Sequence, residues 1–262
     1  NNSNAQETNT GELTAFGSDG FTVGSGGTLN GNGDGIVSWN WKANGQGSSN
    51  TDGSINTTYT SANTTAGISI LTYTGTGSAA TIGHGLGVVP GWIFVKRLNA
   101  TSNWRVFHKS LGATKNLILD EFGSAQTQSA VWNDTEPTSS VFSVGTGTDV
   151  NASGGTYVAY CFAEKKGFSK FGSYVGNGNS NGAFIYTGFK PSFILTKLSS
   201  TGSEDWKLHD IKRPGFNLTN DFLQPSNNGA ELDTSNQMDI LSNGFKWRSS
   251  NTATNLLNPF FS

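Results

Sequence analysis

The sequence predicts an all-β protein, on the evidence of alternating segments, turn-forming clusters between them and the absence of helical periodicity. Apolar and polar residues alternate in segments such as Ile68–Thr74, Trp92–Lys96 and Phe193–Lys197, as in strands with one buried face. Clusters rich in glycine and asparagine, such as Asn30–Gly35, separate these segments and are typical of turns. No window of about a dozen residues shows a helical stripe. We therefore predict about fifteen short strands.

The composition is that of a folded, turn-rich protein. The chain has 262 residues with 35 glycines and only 13% charged residues, so its polarity comes mainly from hydroxyl and amide groups. Its 17 Phe, 7 Trp and 6 Tyr supply more core material than a disordered chain carries. The net charge of −2 provides no basic field for phosphates, so nucleic acid is not an expected partner.

The single cysteine and the apolar runs limit the class further. Cys161 lies in the apolar run 157–163 and is predicted to be a buried thiol, because no second cysteine is present for a disulfide. No apolar run approaches the roughly 18 residues of a membrane span, so membrane insertion is not expected. No signal peptide is visible at Asn1, and the missing initiator Met suggests a processed or partial chain.

Residues recur along the chain at two constant spacings, which predicts an internal repeat. The first group recurs 121 positions later: Phe21, Val23, Gly24, Asn30, Val37, Trp39 and Trp41 match Phe142, Val144, Gly145, Asn151, Val158, Tyr160 and Phe162. The second recurs 101 positions later: Tyr73, Gly75, Gly77, Gly87, Pro90, Ile93 and Lys96 match Tyr174, Gly176, Gly178, Gly188, Pro191, Ile194 and Lys197. We predict a duplicated unit of about 100 residues, with a polar insertion at 42–54 in the first copy.

One phrase of the repeat occurs three times. The phrase is a pattern of Phe, any residue and a hydrophobic residue that comes shortly after Gly or Ser, and it occurs around Phe21, Phe142 and Phe245. The first two occurrences lead into 36–41 and 157–162, where every second residue is large, and we predict both segments as strands.

The connection between the copies favours one large antiparallel β-sandwich, of the jelly-roll or concanavalin-like kind, over two tethered domains. Phe162, which ends the first group of matches, is separated from the start of the second group near Phe168 only by 163–167, a connection of hairpin length. We predict an N-terminal segment with one strand at 1–34 and a sandwich domain at 35–262. Its copies are expected at approximately 35–150 and 151–262.

The sequence offers little for a metal. His84, His108 and His209 are not at zinc-ligand spacing from one another or from cysteine. The turns at 30–34 and 177–181 offer side-chain and backbone oxygens of the kind calcium takes. They have few carboxylates, so turn formation is the favoured interpretation and no cofactor is expected.

Catalysis is not expected either. A glycan-cleaving sandwich would place two carboxylates on one face of a strand. Asp120 and Glu121 are adjacent and point to opposite faces, while Asp134 and Glu136 lie in a turn-like segment. No Gly-x-Ser-x-Gly elbow is present, and the many Gly-x-Gly runs precede no helix that would bind phosphate.

Aromatic and polar residues at repeated positions are the better functional candidates. Trp104 and Trp206 head matching segments with neighbouring His, Asp and Arg residues, the composition of a shallow sugar site. The alternative, that the repeated tryptophans are core residues, is favoured, and His84 in the glycine-flanked turn 83–87 is interpreted first as a turn residue. The candidate glycan contacts are Trp104, His108, Trp206, His209, Asp210 and His84.

Seven phrases together resemble a domain of unknown function that is widespread in structural proteins of tailed, especially marine, phages. They are Ser49–Ile55, Thr81–Leu86, Pro137–Val144, Tyr157–Phe162, Gly172–Gly178, Tyr186–Pro191 and Leu241–Phe245. The resemblance covers about 35–248 and implies a lectin-like sandwich on a virion, often in a tail fibre or other appendage. Relatives end in a third aromatic strand closing on Ala-Phe-Ala, whereas this chain has Asn255–Phe261 with Pro259 inside it.

The leading hypothesis is a phage virion surface protein, a tail-fibre or appendage module that contacts host surface glycans or other virion proteins. A homo-oligomer is expected, with a trimer favoured, because exposed β edges need covering. The alternatives are an architectural cement or decoration protein that binds no receptor and, less favoured, a glycan hydrolase.

Overall fold

The computed structural model describes residues 3–213, 217–257 and 259–261. Strands account for 35% of the chain and helices for 6%, which confirms the all-β class. The strands are β1 (Leu13–Phe16), β2 (Phe21–Val23), β3 (Tyr59–Asn63), β4 (Ile68–Thr74), β5 (Ala80–Gly83), β6 (Trp92–Arg97), β7 (Arg105–His108), β8 (Lys115–Ile118), β9 (Gln126–Thr127), β10 (Val141–Val144), β11 (Thr156–Phe162), β12 (Ser173–Val175), β13 (Phe184–Tyr186), β14 (Phe193–Leu198), β15 (Lys207–Asp210), β16 (Thr219–Phe222), β17 (Leu232–Leu241), β18 (Gly244–Trp247) and β19 (Pro259–Phe261). The helices are α1 (Gly27–Asn30), α2 (Ser129–Trp132), α3 (Thr148–Asn151) and α4 (Thr252–Asn255). No helix in the described ranges has the length and apolarity needed to cross a membrane.

The first half of the molecule, β3 to β11, is built on a seven-stranded antiparallel sheet. Its order is β3-β4-β11-β6-β7-β8-β9, and β5 and β10 pair separately. The interior strand β11 alternates large residues, and Tyr157 lies opposite Tyr73 on one side and Arg97 on the other. Because side chains alternate across a strand, β11 supplies Tyr157, Ala159 and Cys161 to one core cluster and Tyr160 to another.

The second half, β12 to β19, contains two four-stranded sheets. Their orders are β12-β19-β14-β15 and β13-β18-β17-β16. The run β12-β19-β14-β15 has the same chain-order pattern as β4-β11-β6-β7, and the pair β13-β18 corresponds in the same way to β5-β10. An antiparallel sandwich is thereby confirmed, while its origin in a duplicated unit stays a prediction.

The two halves share a hydrophobic cluster, here called the junction cluster. Its buried members are Trp92, Phe94, Val106 and Leu117 from the first half and Phe171, Leu195, Trp206 and Leu208 from the second. Separate clusters fill the interior of each half, and Cys161 is a fully buried free thiol in the first, as predicted. The pKa of this thiol is raised by burial, because the thiolate is poorly solvated there.

The two aromatic segments considered from the sequence, 36–41 and 255–261, have different outcomes in the structure. The prediction of a strand at 36–41 is wrong: this segment lies in no sheet, and its alternating Trp39 and Trp41 instead pack edge-on against Phe193. The last strand does form, and Pro259 stands at its first position, where a missing backbone N–H is tolerated. At 36–41, alternation therefore identified apolar packing but not a hydrogen-bonded strand.

Candidate functional site

Five of the six candidate glycan contacts are buried: His84, His108, Trp206, His209 and Asp210. His84 occupies a turn, where its Nδ1 accepts from the Leu86 N–H at 3.2 Å and its Nε2 donates to the Thr138 carbonyl at 3.1 Å. Burial lowers the pKa of His84 and favours the neutral ring that makes these two bonds. The turn interpretation of His84 accounts for its position.

The candidates on β15 and beside it face the interior. His209 packs between the rings of Phe222 at 5.6 Å and Trp247 at 5.7 Å. Asp210 accepts from the Lys212 N–H at 2.8 Å and pairs with the Arg213 guanidinium at 2.9 Å. Burial alone would raise the pKa of Asp210, but these donors outweigh it and hold the pKa below its usual value. As placed, these side chains offer no surface to a sugar ring.

The two matched tryptophans differ in exposure. Trp206 is 2% exposed and donates its indole N–H to the Ile118 carbonyl at 2.8 Å, while its ring stacks on Trp92. Trp104 is half-buried and stacks on Tyr160 with ring centroids 6.2 Å apart. Trp104 also borders an open depression of about 350 Å³. Of the six candidates, Trp104 alone keeps an accessible ring, so the predicted glycan role rests on it.

A larger cleft lies where the two halves meet, and sequence reasoning did not locate it. It has a volume of about 580 Å³, within the roughly 300–1,000 Å³ typical of small-molecule sites. We call it the aromatic cleft; the aromatic side chains that define it are Trp41, Phe162, Phe168, Phe184, Tyr186 and Phe193.

The walls of the aromatic cleft come from segments far apart in the chain. Trp41 meets Phe193 edge-on with centroids 5.4 Å apart and Phe162 at 6.1 Å. Among the other lining residues, Phe184 and Tyr186 project from the same face of β13, which lies at the edge of its sheet. Tyr186 is 60% exposed, so its ring is available to a ligand.

The polar groups of the cleft are cationic or neutral. Exposed Lys170 and Lys190 lie among its lining residues, and none of the described lining residues is acidic. Rings of this kind stack on the apolar face of a sugar, and an ammonium group pairs with an anion. The described lining thus contains no pair of carboxylates of the kind that glycoside cleavage uses.

Three of the acidic residues considered for catalysis accept hydrogen bonds from backbone or side-chain amides. Asp120 accepts from the Trp104 N–H at 2.9 Å, Glu121 accepts from Asn103, and Glu136 accepts from the Ala113 N–H at 2.7 Å. Within the described ranges, no three His, Cys, Asp or Glu residues are grouped so that they could hold a metal ion. The non-enzyme interpretation stays a prediction.

The matched lysines Lys96 and Lys197 are buried and bind loop carbonyls. The Lys96 ammonium donates to the Ser102 carbonyl at 2.7 Å, and the Lys197 ammonium donates to those of Glu204 at 2.6 Å and Phe122 at 3.1 Å. Each lysine thus fixes the loop that follows its own strand, β6 or β14.

Stability should depend on pH through Lys197. Burial lowers the pKa of Lys197 to about 8, against the opposing effect of Asp205 and Glu204. Because the unfolded lysine binds its proton up to a higher pH, the folded state gains stability as pH rises from the folded toward the unfolded pKa. The difference in unfolding free energy between wild type and Lys197→Met should increase by about 2 kcal/mol between about pH 7.5 and about pH 9.5. Denaturant titrations of both proteins measure it, and a difference constant with pH would contradict the assignment.

Together, fold and cleft define an all-β protein whose antiparallel sheets share a junction cluster beside an aromatic cleft. The chain belongs to a family of unknown function: residues 1–257 match the domain of unknown function DUF7483. Neither a curated protein nor a solved structure matches the chain. The expected membership of a domain family of unknown function is thus confirmed.

Proposed function

We propose that the protein is a virion surface module of a tailed phage, part of a tail fibre or other appendage, which binds host surface glycans through the aromatic cleft. The observation that carries the binding role is the exposure of Tyr186 and Phe184 side by side on an edge strand, in a cleft that Trp41 also lines. Large exposed apolar side chains around a concavity are typical of binding sites. The virion context rests on the resemblance of the sequence phrases.

The glycan we propose is anionic. Lys170 and Lys190 stand among the lining residues, while no described lining residue carries a carboxylate. Stacking on Tyr186 would supply contact area, and the two ammonium groups would favour uronate or sulfated sugars over neutral ones. Because exposed charge pairs are screened by salt, affinity should fall as ionic strength rises.

Replacing Tyr186 by alanine should weaken binding to an acidic polysaccharide about tenfold, because it removes a stacking ring worth about 1.4 kcal/mol. The measurement is calorimetric titration of the purified protein with alginate oligomers, with maltodextrin oligomers as the neutral comparison. Tyr59→Ala is the matched control, because Tyr59 is also an exposed strand tyrosine, 47% accessible, and does not line the cleft.

Equal affinities of Tyr186→Ala and Tyr59→Ala would remove the cleft from the proposal. If acidic polysaccharides bind wild type no better than neutral ones do, the anionic preference is wrong.

The second candidate is a purely architectural module, and the exposed apolar residues of the N-terminal hairpin favour it. Phe16 on β1 is 80% exposed and lies outside the aromatic cleft, as does Phe21 on β2. Such residues are suited to contact with a neighbouring protein. Density for the chain on an intact particle separates the roles: a position at the tip of an appendage supports glycan binding, and a position wedged between capsid or shaft subunits supports cementing.

A further inference from the structure

Three segments of the chain share one local geometry, here called the closing motif: a strand, a turn and a one-turn helix that ends in asparagine. The motifs are β2 with α1, β10 with α3, and β18 with α4. In each, the side-chain amide of the final asparagine donates to the carbonyl six residues earlier. The three bonds are Asn30 to Gly24 at 2.9 Å, Asn151 to Gly145 at 2.8 Å and Asn255 to Ser249 at 2.8 Å.

The second closing motif holds the turn that follows β4. Asn151 accepts on Oδ1 from the Thr76 N–H at 2.8 Å and donates from Nδ2 to the Ser78 carbonyl at 2.6 Å. The Tyr73 hydroxyl, from the same strand and turn, donates to the Val150 carbonyl at 2.6 Å. Asn151 and Val150 are fully buried as a result.

The third closing motif holds the turn that follows β12 with the same bonds. Asn255 accepts on Oδ1 from the Asn177 N–H at 3.0 Å and donates to the Asn179 carbonyl at 2.7 Å. The Tyr174 hydroxyl donates to the Thr254 carbonyl at 2.7 Å. Both held turns follow the pattern Tyr-x-Gly-x-Gly, at 73–77 and 174–178.

The first closing motif holds no such turn among the described residues, since both turns are taken by the other two motifs. Asn30 is exposed, and Leu29, at the position of Val150, is 37% exposed. Phe21 is 41% exposed, whereas its matches Phe142 and Phe245 are 1% and 2% exposed. The first motif therefore presents the apolar and polar groups that the others bury.

The segment before the first closing motif makes the same contacts as the segment before the second. The Gln6 N–H donates to the Leu98 carbonyl at 2.7 Å, and the Ala125 N–H donates to the matching Ser199 carbonyl at 2.9 Å. Likewise, the Lys96 ammonium binds the Ser3 carbonyl as that of Lys197 binds the Phe122 carbonyl. Ser3 and Gln6 thus contact the first half as Phe122 and Ala125 contact the second.

We propose that the first closing motif docks a further β-unit of the same type, whose last strand leads into Ser3. Phe122, the match of Ser3, comes four residues after β8 ends at Ile118. By the same spacing, the strand of the further unit that matches β8 would end four residues before Ser3. A second copy of this chain is not the occupant, since its own Tyr-x-Gly-x-Gly turns are already held. The inference is independent of glycan binding.

The chemistry of the docked unit is specified by the matched bonds. Its tyrosine hydroxyl would donate to the Leu29 carbonyl, and two backbone N–H groups of its turn would donate to Asn30, one to Oδ1 and one to the carbonyl. In the two occupied motifs, the bond to the asparagine carbonyl is made by the Gly77 N–H to Asn151 and by the Gly178 N–H to Asn255. Apolar side chains of the unit would cover Phe21 and Leu29, which are exposed in the motif, and Ile36, which is exposed six residues after it.

The test is a chain in which an added copy of residues 42–121 is joined directly to Ser3. Hydrogen exchange at the amides of Leu29 and Asn30 should slow by about a hundredfold relative to the unextended protein, because local opening becomes costlier. Tyr73→Phe in the added copy alone is the matched control. It should remove part of the added protection, because phenylalanine lacks the hydroxyl that would donate to the Leu29 carbonyl. Asn30→Ala should abolish the added protection in the extended chain, whereas in the unextended chain, where it removes only the bond to Gly24, exchange should change by less than about fivefold.

Two results would overturn the proposal. One is an added copy that stays unfolded, or that folds while Leu29 and Asn30 exchange as before. The other is concentration-dependent protection of the same amides in the unextended chain, which would identify a second copy as the occupant.

Discussion

Replacing Trp206 by alanine is expected to lower the free energy of unfolding by about 3–5 kcal/mol, the range for removing a large buried aromatic side chain. Trp206 stacks on Trp92 and donates to the Ile118 carbonyl, and both partners belong to the first half of the chain. The change would open a cavity in the junction cluster and leave a buried carbonyl without its donor. Denaturant unfolding followed by tryptophan fluorescence and by circular dichroism measures the loss.

Trp104→Ala is the matched control for Trp206→Ala, because the two residues occupy matched positions and Trp104 is half-buried. Its cost should be smaller, about 1–2 kcal/mol. If the halves form one cooperative unit through the junction cluster, both probes should show a single shared transition in Trp206→Ala. Loss of stability confined to the second half, with the first unfolding as in wild type, would contradict a shared core.

Asn151→Ala should cost about 2–4 kcal/mol, because the change leaves buried backbone groups unsatisfied. The side chain binds Thr76, Ser78 and Gly145 and is fully buried. Asn30→Ala is the matched control: it removes the same local bond in an exposed motif and should cost less than about 1 kcal/mol. Thermal unfolding of the two variants compares them.

Similar losses of unfolding free energy for Asn151→Ala and Asn30→Ala would show that the stabilisation comes from the bond within the motif, to Gly145 or Gly24. The bonds from Asn151 to Thr76 and Ser78 would then contribute little. That result would remove the physical basis for treating the first closing motif as unoccupied.

Strands were predicted correctly where a segment with alternating apolar residues also pairs with neighbouring strands through backbone hydrogen bonds. Ile68–Thr74 was predicted from its alternation and forms β4 with the same bounds, and 157–162 lies within β11. Burial of Cys161 followed from the apolar run around it. Such features depend on neighbours along the chain, so local pattern suffices to find them.

The candidate site could not be found in this way, because it depends on which distant segments meet. Trp206 and His209 carry groups suited to sugars, yet Trp206 lies in the junction cluster and His209 packs between aromatic rings. Conversely, Trp41 and Tyr186 are 145 positions apart in the sequence and line one cleft. The available signal was the pair of aromatic residues at 184 and 186, which alternate on a strand with a short, exposed face.

Titration of the isotope-labelled protein with alginate oligomers, followed by aromatic proton–carbon spectra, tests the glycan-binding proposal most directly. We expect saturable shifts in the ring signals of Tyr186, Phe184 and Phe168, with those of Trp104 unchanged and with no response to maltodextrin oligomers. Shifts confined to Trp104, or no shifts with any acidic oligomer, would contradict the assignment of the aromatic cleft as the glycan site.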